Sequence, residues 1–137
     1  MQPYFFIDAG KRYVKISFTD ILYFEACRNY VRIVTKHGSH MALLSLRQLE
    51  QMLPPEKFCR IHRSYIVFID AINSFASENV YIKDKVLPIG ETYNKALQQR
   101  ITLVVSDYMR ENKKSLPTIP LQGSKESTTS CQYDYKR

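Results

Sequence analysis

Three short clusters of polar and basic residues interrupt the apolar runs of this chain. They are Arg28-Asn29-Tyr30, then Arg60 with His62 and Arg63, then Gly90-Glu91-Thr92 with Lys95 one helical turn on. Arginine can fork two hydrogen bonds onto a guanine edge and asparagine can do the same on adenine, while a helix N-terminus offers free N–H groups to phosphate. Taken singly, each cluster also has a local explanation: a solvated turn, a surface strand residue, a break before a helix. His62 is a conceivable general base, but Arg60 and Arg63 beside it disfavour an imidazolium, and no carboxylate stands nearby in sequence to orient it. The chain has no Gly-rich phosphate loop, no nucleophile elbow and no HExxH motif, and its carboxylates are scattered rather than paired. These residues point to binding rather than catalysis, with no cofactor implied.

Charge agrees with a polyanionic partner. Residues 1–103 hold 14 Lys/Arg against 9 Asp/Glu, so +5 of the +7 net charge belongs to that stretch and not to a basic tail. Such a balance suits nucleic acid or an anionic surface. No apolar run approaches the length of a membrane span, and Met1 to Phe6 is too short and uncharged for a signal peptide. A cytoplasmic protein is the expectation. Cys27, Cys59 and Cys131 are too few and too widely spaced for a disulfide framework or a zinc site. The first two read as small apolar strand residues.

The clusters need a scaffold, and the hydrophobic pattern supplies one. Tyr4 to Ile7, a turn at Ala9-Gly10-Lys11, and alternating Val14, Ile16 and Phe18 predict a hairpin. A second hairpin runs from Ile21 to Cys27, with Leu22, Phe24 and Ala26 on one face, through a turn at Arg28-Asn29, to Tyr30–Thr35 with Val31 and Ile33 inward. His40 to Leu43 is a further strand. Ser45 and Gln48 form a capping box for a short helix whose apolar stripe is Leu46, Leu49, Met52 and Leu53, stopped by Pro54-Pro55. Strands follow within Phe58–Phe68 and at Ala71–Ala76, Val80–Ile82 and Val86–Ile89. A second helix opens near Thr92 with a stripe of Tyr93, Leu97, Ile101 and Val104 or Val105. Residues 104–115 could extend that helix. Residues 116–137 are polar and low in complexity, and read as a disordered tail.

The run Phe58-Cys59-Arg60-Ile61-His62-Arg63-Ser64-Tyr65-Ile66-Val67 closely resembles the central signature of the LytTR DNA-binding domain: aromatic, Arg, apolar, His, Arg, Ser, aromatic, two apolar. Asp20 to Ala26 followed by Asn29-Tyr30-Val31 is similar to the family's preceding block, and Leu87-Pro88-Ile89-Gly90-Glu91-Thr92-Tyr93 to its following one. The three occur in family order and cover about Tyr4 to Leu103.

This resemblance implies a mostly β fold with two or three short helices, an elongated arrangement of small packed antiparallel sheets over residues 1–103. It implies sequence-specific binding of double-stranded DNA as the output domain of a bacterial transcription regulator, with direct repeats read through loops rather than a recognition helix. The first loop would be Arg28, Asn29 and Tyr30, in a major groove. The middle loop would be His62 and Arg63, reached from Arg60, in the intervening minor groove. The third would be Gly90, Glu91 and Thr92, backed by Tyr93 and Lys95, in the next major groove. Many relatives carry a basic residue in this third loop, where this chain has Gly90-Glu91-Thr92; Glu91 can either accept from cytosine N4 or favour the helix dipole. His62 and Ser64 can alternatively hold the loop by bonding its backbone. Expected partners are DNA and a receiver domain or sensor-kinase system, with no membrane association. The domain is expected to be monomeric in solution and to pair on DNA. The competing reading is a β-rich protein-interaction module docking an acidic partner. RNA binding is a third, disfavoured by the lack of an evident aromatic platform.

Overall fold

The two-residue turns and alternating runs of the first seventy residues fold as antiparallel hairpins. The computed structural model describes residues 2–106 and divides into two compact units after Ile72. In the first unit, β1 (Tyr4–Asp8) pairs with β2 (Tyr13–Ser17). Gly10, at φ +96°, closes their turn, and its N–H donates to Asp8 Oδ1 at 2.9 Å.

A turn of 3-10 helix at Phe18–Asp20 leads into a five-stranded antiparallel sheet. Its members are β3 (Ile21–Cys27), β4 (Tyr30–Thr35), β5 (Gly38–Ala42), β6 (Phe58–His62) and β7 (Tyr65–Phe68), in the order β5-β4-β3-β7-β6. Between β5 and β6 lies α1 (Leu46–Met52). Its capping box is formed: the Gln48 N–H donates to Ser45 Oγ at 3.1 Å, and the Ser45 N–H to Gln48 Oε1 at 3.3 Å. Leu46, Leu49 and the capping Leu53 are buried with Phe24, Ile33, Ile66 and Phe68, and Phe58 packs its ring 5.1 Å from Phe18 and 5.2 Å from Phe68. Burying each such side chain stabilises the fold by about 1.5–3 kcal/mol.

Several expectations change here. Met52 is exposed, because at 3.6 residues per turn it stands about 120° round from Leu46. The strand expected at His40–Leu43 is Gly38–Ala42, and Leu43 is exposed. Strict alternation fails in β3, where Ile21, Leu22, Tyr23 and Phe24 are all buried. A bulge takes Leu22 out of register between Ile21↔Thr35 and Tyr23↔Val34, and a bulge resets which face each residue occupies. Cys59 is buried, as expected of a small apolar residue, while Cys27 at the strand end is half-buried.

In the second unit, β8 (Ser74–Phe75), β9 (Asn79–Ile82) and β10 (Lys85–Pro88) form a sheet in the order β10-β9-β8, followed by α2 (Glu91–Gln98). The strand expected at Ala71–Ala76 shrinks to β8, since Ile69–Ala71 makes a 3-10 turn. Val80, Ile82, Leu87, Ile89 and Leu97 are buried. Asn94 is buried too, and its Nδ2 donates to the Ser77 carbonyl at 3.1 Å, holding α2 to the β8–β9 turn. The stripe read through Val104 or Val105 is cut short: α2 ends at Gln98, and residues 102–106 adopt no regular structure. Ile101, Thr102, Val104 and Val105 are β-branched and lose side-chain freedom in a helix. The rest of the proposed extension and the 116–137 tail lie outside the described residues.

Candidate nucleic-acid interface

The first two clusters lie at one end of the five-stranded sheet. Arg28 and Asn29 are the whole turn between β3 and β4, closed by the pair Cys27↔Tyr30. Arg63 and Ser64 are the whole turn between β6 and β7, closed by His62↔Tyr65. Because β3 and β7 are antiparallel neighbours paired at Glu25↔Tyr65, the last residues of β3 run beside the first of β7. The Ala26 N–H donates to the Ser64 carbonyl at 2.9 Å and ties the two hairpins together there. The turn centres are separated by two strand spacings, about 10 Å.

Arg28, Asn29 and Tyr30 are all exposed. Arg28 sits at φ +59°, the left-handed region, an uncommon state for a residue with a Cβ. Arg63 is exposed as well. Neither guanidinium has an ion-pair partner among the described residues.

The carboxylates around them are taken. Glu25 accepts from Arg32 Nη1 at 2.8 Å, and from the Tyr65 hydroxyl at 3.3 Å. Glu50 of α1 pairs with Arg60 at 2.8 Å. Arg28 and Arg63 therefore remain uncompensated positive charges. Burial, and then the neighbouring Glu25 carboxylate, push the Tyr65 phenol up to about 12.

The middle turn is held at nearly every backbone group. A second bulge, at Ile61, separates the pairs Arg60↔Ile66 and His62↔Tyr65. Two residues apart in a regular strand, Arg60 and His62 would share a face. Arg60 follows Phe58 in regular alternation onto the face of Ile66, which belongs to the core, and the bulge turns His62 onto the opposite face with Tyr65, Glu25 and Arg32. His62 Nδ1 accepts from the Ser64 N–H at 3.0 Å, so in the neutral ring the proton is on Nε2. The His62 and Tyr65 rings lie 5.7 Å apart. Arg60 turns back onto the hairpin: Nε donates to the His62 carbonyl at 3.2 Å and Nη2 to the Arg63 carbonyl at 2.6 Å.

The third cluster belongs to the second unit. Gly90 is the extended N-cap of α2 and provides no side-chain cap. Glu91 and Thr92 are the first two helical residues and are exposed, as is Lys95. Glu91 and Lys95 are one turn apart with no ion pair between them, so Glu91 lies where the helix dipole favours an acidic side chain.

Residue types alone missed Glu25, Tyr65 and Glu50, which hold the two turns. They also missed Lys83, a basic residue at φ +52° at the tip of the β9–β10 hairpin, whose N–H donates to Asn73 Oδ1 at 2.6 Å. Strands expected at Val80–Ile82 and Val86–Ile89 leave Lys83 between them, but nothing in the residue types marks its left-handed backbone.

Residues 11–102 match the family model described as the LytTr DNA-binding domain. Among curated proteins, the chain is similar to the CO-responsive transcriptional regulator RcoM of Rhodospirillum rubrum, 40% identical over 55 residues, covering 40% of this chain and 23% of RcoM. It is also similar to the sensory transduction protein LytT of Bacillus subtilis, 27% identical over 99 residues, covering 68% of this chain and 41% of LytT. The chain thus spans less than half the length of either relative. Among solved structures, a LytTr DNA-binding domain from Bacillus cereus superposes with a TM-score of 0.63 at 19% identity, over 73% of this chain and 97% of that one.

Proposed function

The chain belongs to the LytTR family of DNA-binding domains, and from that premise we propose that it binds a specific duplex sequence as the output domain of a bacterial transcription regulator. One observation carries the reading: two free arginines, Arg28 and Arg63, stand on tightly closed turns at the same end of one sheet. Arg28 and Asn29 read base edges in a major groove, where every base pair has its own donor–acceptor pattern. Arg63 enters the adjacent minor groove, which attracts arginine most strongly where it is narrow and A·T-rich. His62 offers Nε2–H on the same side of the hairpin as Tyr65. Thr92, Lys95 and the N-terminal N–H groups of α2 meet backbone phosphates, and Glu91 serves the helix dipole rather than a base.

The protein recognises direct repeats, one copy per repeat, and is monomeric without DNA. The relatives are named as a transcriptional regulator and a sensory transduction protein. This favours a signalling context, with a receiver domain or sensor-kinase system as upstream partner and the cytoplasm as the site of action. No helix among the described residues is long and apolar enough to cross a membrane.

Selection of bound duplexes from a random pool, followed by a salt titration on the selected site, tests this. Enrichment of one repeated sequence and a steep fall of affinity with salt are expected. Weak, sequence-blind DNA binding would refute the reading and favour the alternative, a β-rich module docking an acidic protein.

A further inference from the structure

Arg60 has the charge and the position in sequence of a DNA contact, but its geometry serves another purpose. Three of its donors are engaged within the protein: Nε with the His62 carbonyl, Nη2 with the Arg63 carbonyl, and Nη1 with Glu50 Oε1. Its side chain is only 20% exposed, and it leaves the sheet on the core face, in regular alternation with Phe58. Both carbonyls flanking the Arg63 Cα are thereby gripped by one planar fork. The other side of the fork is anchored to α1, ten residues away in sequence. Charge-assisted bonds of this kind are the strong and directional ones. The Ser64 N–H on His62 Nδ1 and the Ser64 carbonyl under the Ala26 N–H complete the restraint.

We propose that Arg60 is a positioning residue which, anchored by Glu50, clamps the β6–β7 turn in the conformation that presents Arg63 to DNA. This rests on the reading of Arg63 as a DNA contact. Arg60 then adds to affinity only through the aim of Arg63.

The anchor gives a test by sign. Glu50→Gln removes a negative charge from a DNA-binding protein, so long-range electrostatics alone would tighten binding. Weakening the anchor to a neutral amide acceptor instead weakens binding, by about threefold to tenfold, the scale of one ordinary hydrogen bond. Arg60→Ala should weaken binding by about fivefold to tenfold in the otherwise unaltered chain, no more than Arg63→Ala itself, yet by less than about twofold when Arg63 is already alanine. A direct phosphate contact would act equally in both backgrounds and lower the salt slope by about one unit in each. Arg60→Lys, with the charge but no fork, should resemble alanine in its loss of affinity.

The free protein supplies a readout independent of DNA. Amide exchange at Ser64 and Ala26 should accelerate about tenfold in Arg60→Ala and measurably in Glu50→Gln, with core amides at Phe24 and Ile33 unchanged. Tighter binding by Glu50→Gln, additivity of Arg60→Ala with Arg63→Ala, or unchanged Ser64 exchange in both variants would each overturn the clamp. Should the unaltered chain select no duplex at all, the proposed function fails, and exchange at Ser64 still decides whether the clamp exists. If Arg60→Ala does not fold, Glu50→Gln and Arg60→Lys carry the same measurements.

Discussion

Replacing Arg28 with glycine should make this protein more stable and a poorer DNA binder at once. Arg28 occupies the left-handed region at φ +59°, which costs an L-residue roughly 1–2 kcal/mol. Glycine removes that cost but loses about 0.5–1 kcal/mol more in unfolded-state entropy. The net gain is about 0.5–1 kcal/mol, because Arg28 has no ion-pair or hydrogen-bond partner among the described residues to forfeit. For a unit of this size that raises Tm by roughly 2–8 °C. Alanine keeps the Cβ and the strain, so Arg28→Ala should stay within about 0.5 kcal/mol of the parent. In both variants the proposed base-edge contact would be lost, at an expected cost of about 1–3 kcal/mol of binding, or roughly 5-fold to 150-fold in Kd. Calorimetric unfolding gives the first number, and fluorescence anisotropy against the selected duplex and its single-base substitutions gives the second. A glycine variant that binds with full affinity and discrimination would remove Arg28 from base reading. One less stable than the alanine variant would refute the strain argument.

Arg63→Ala should weaken binding across all sequences by about tenfold and lower the salt slope by about one unit, with loss of A·T preference at the minor-groove steps; a loss confined to one G·C pair would contradict the groove assignment. Glu91→Ala should leave affinity within about twofold or tighten it, and a larger loss with altered base preference at one position would make Glu91 a reader instead. Tyr65 has its folded pKa raised from 10.0 to about 12. Its contribution to stability is therefore fully present below pH 10 and is lost as pH climbs from there toward 12. Tyr65→Phe should flatten that alkaline decline relative to the parent in denaturant titrations, and identical alkaline limbs would show that Tyr65 is not the group responsible.

The hairpins, the capping box and the helix stop at Pro54-Pro55 were legible because each depends on neighbours in sequence. Arg28-Asn29 could be assigned to a turn from two flanking apolar runs, and Arg63 to a strand end from the motif around it. The bulges at Leu22 and Ile61 were not legible. A bulge changes no residue type, only which face the following side chains occupy, and that is decided by the partner strand. Arg60 and His62, grouped in one cluster by sequence, consequently lie on opposite faces. Glu50 was out of reach of any local pattern, since only folding brings α1 to β6. The division after Ile72 and the early end of α2 at Gln98 were hidden for a similar reason. An apolar stripe continuing past Leu97 does not reveal that β-branched residues no longer support a helix.

The bond from the Ala26 N–H to the Ser64 carbonyl makes the β3–β4 and β6–β7 turns a caliper of fixed gauge. A separation of about 10 Å corresponds to roughly three base-pair steps at 3.4 Å each. One inserted pair would displace a subsite by about 3.4 Å and rotate it by about 36°, given some 10 pairs per helical turn. A hydrogen-bonded sheet has no hinge with which to follow such a change. Genomic target sites should therefore share an ungapped core beneath these two turns, and a search that permits an insertion or deletion inside that core will collect false sites. On the proposed reading of direct repeats, natural variation in spacing belongs outside it, between one repeat and the next.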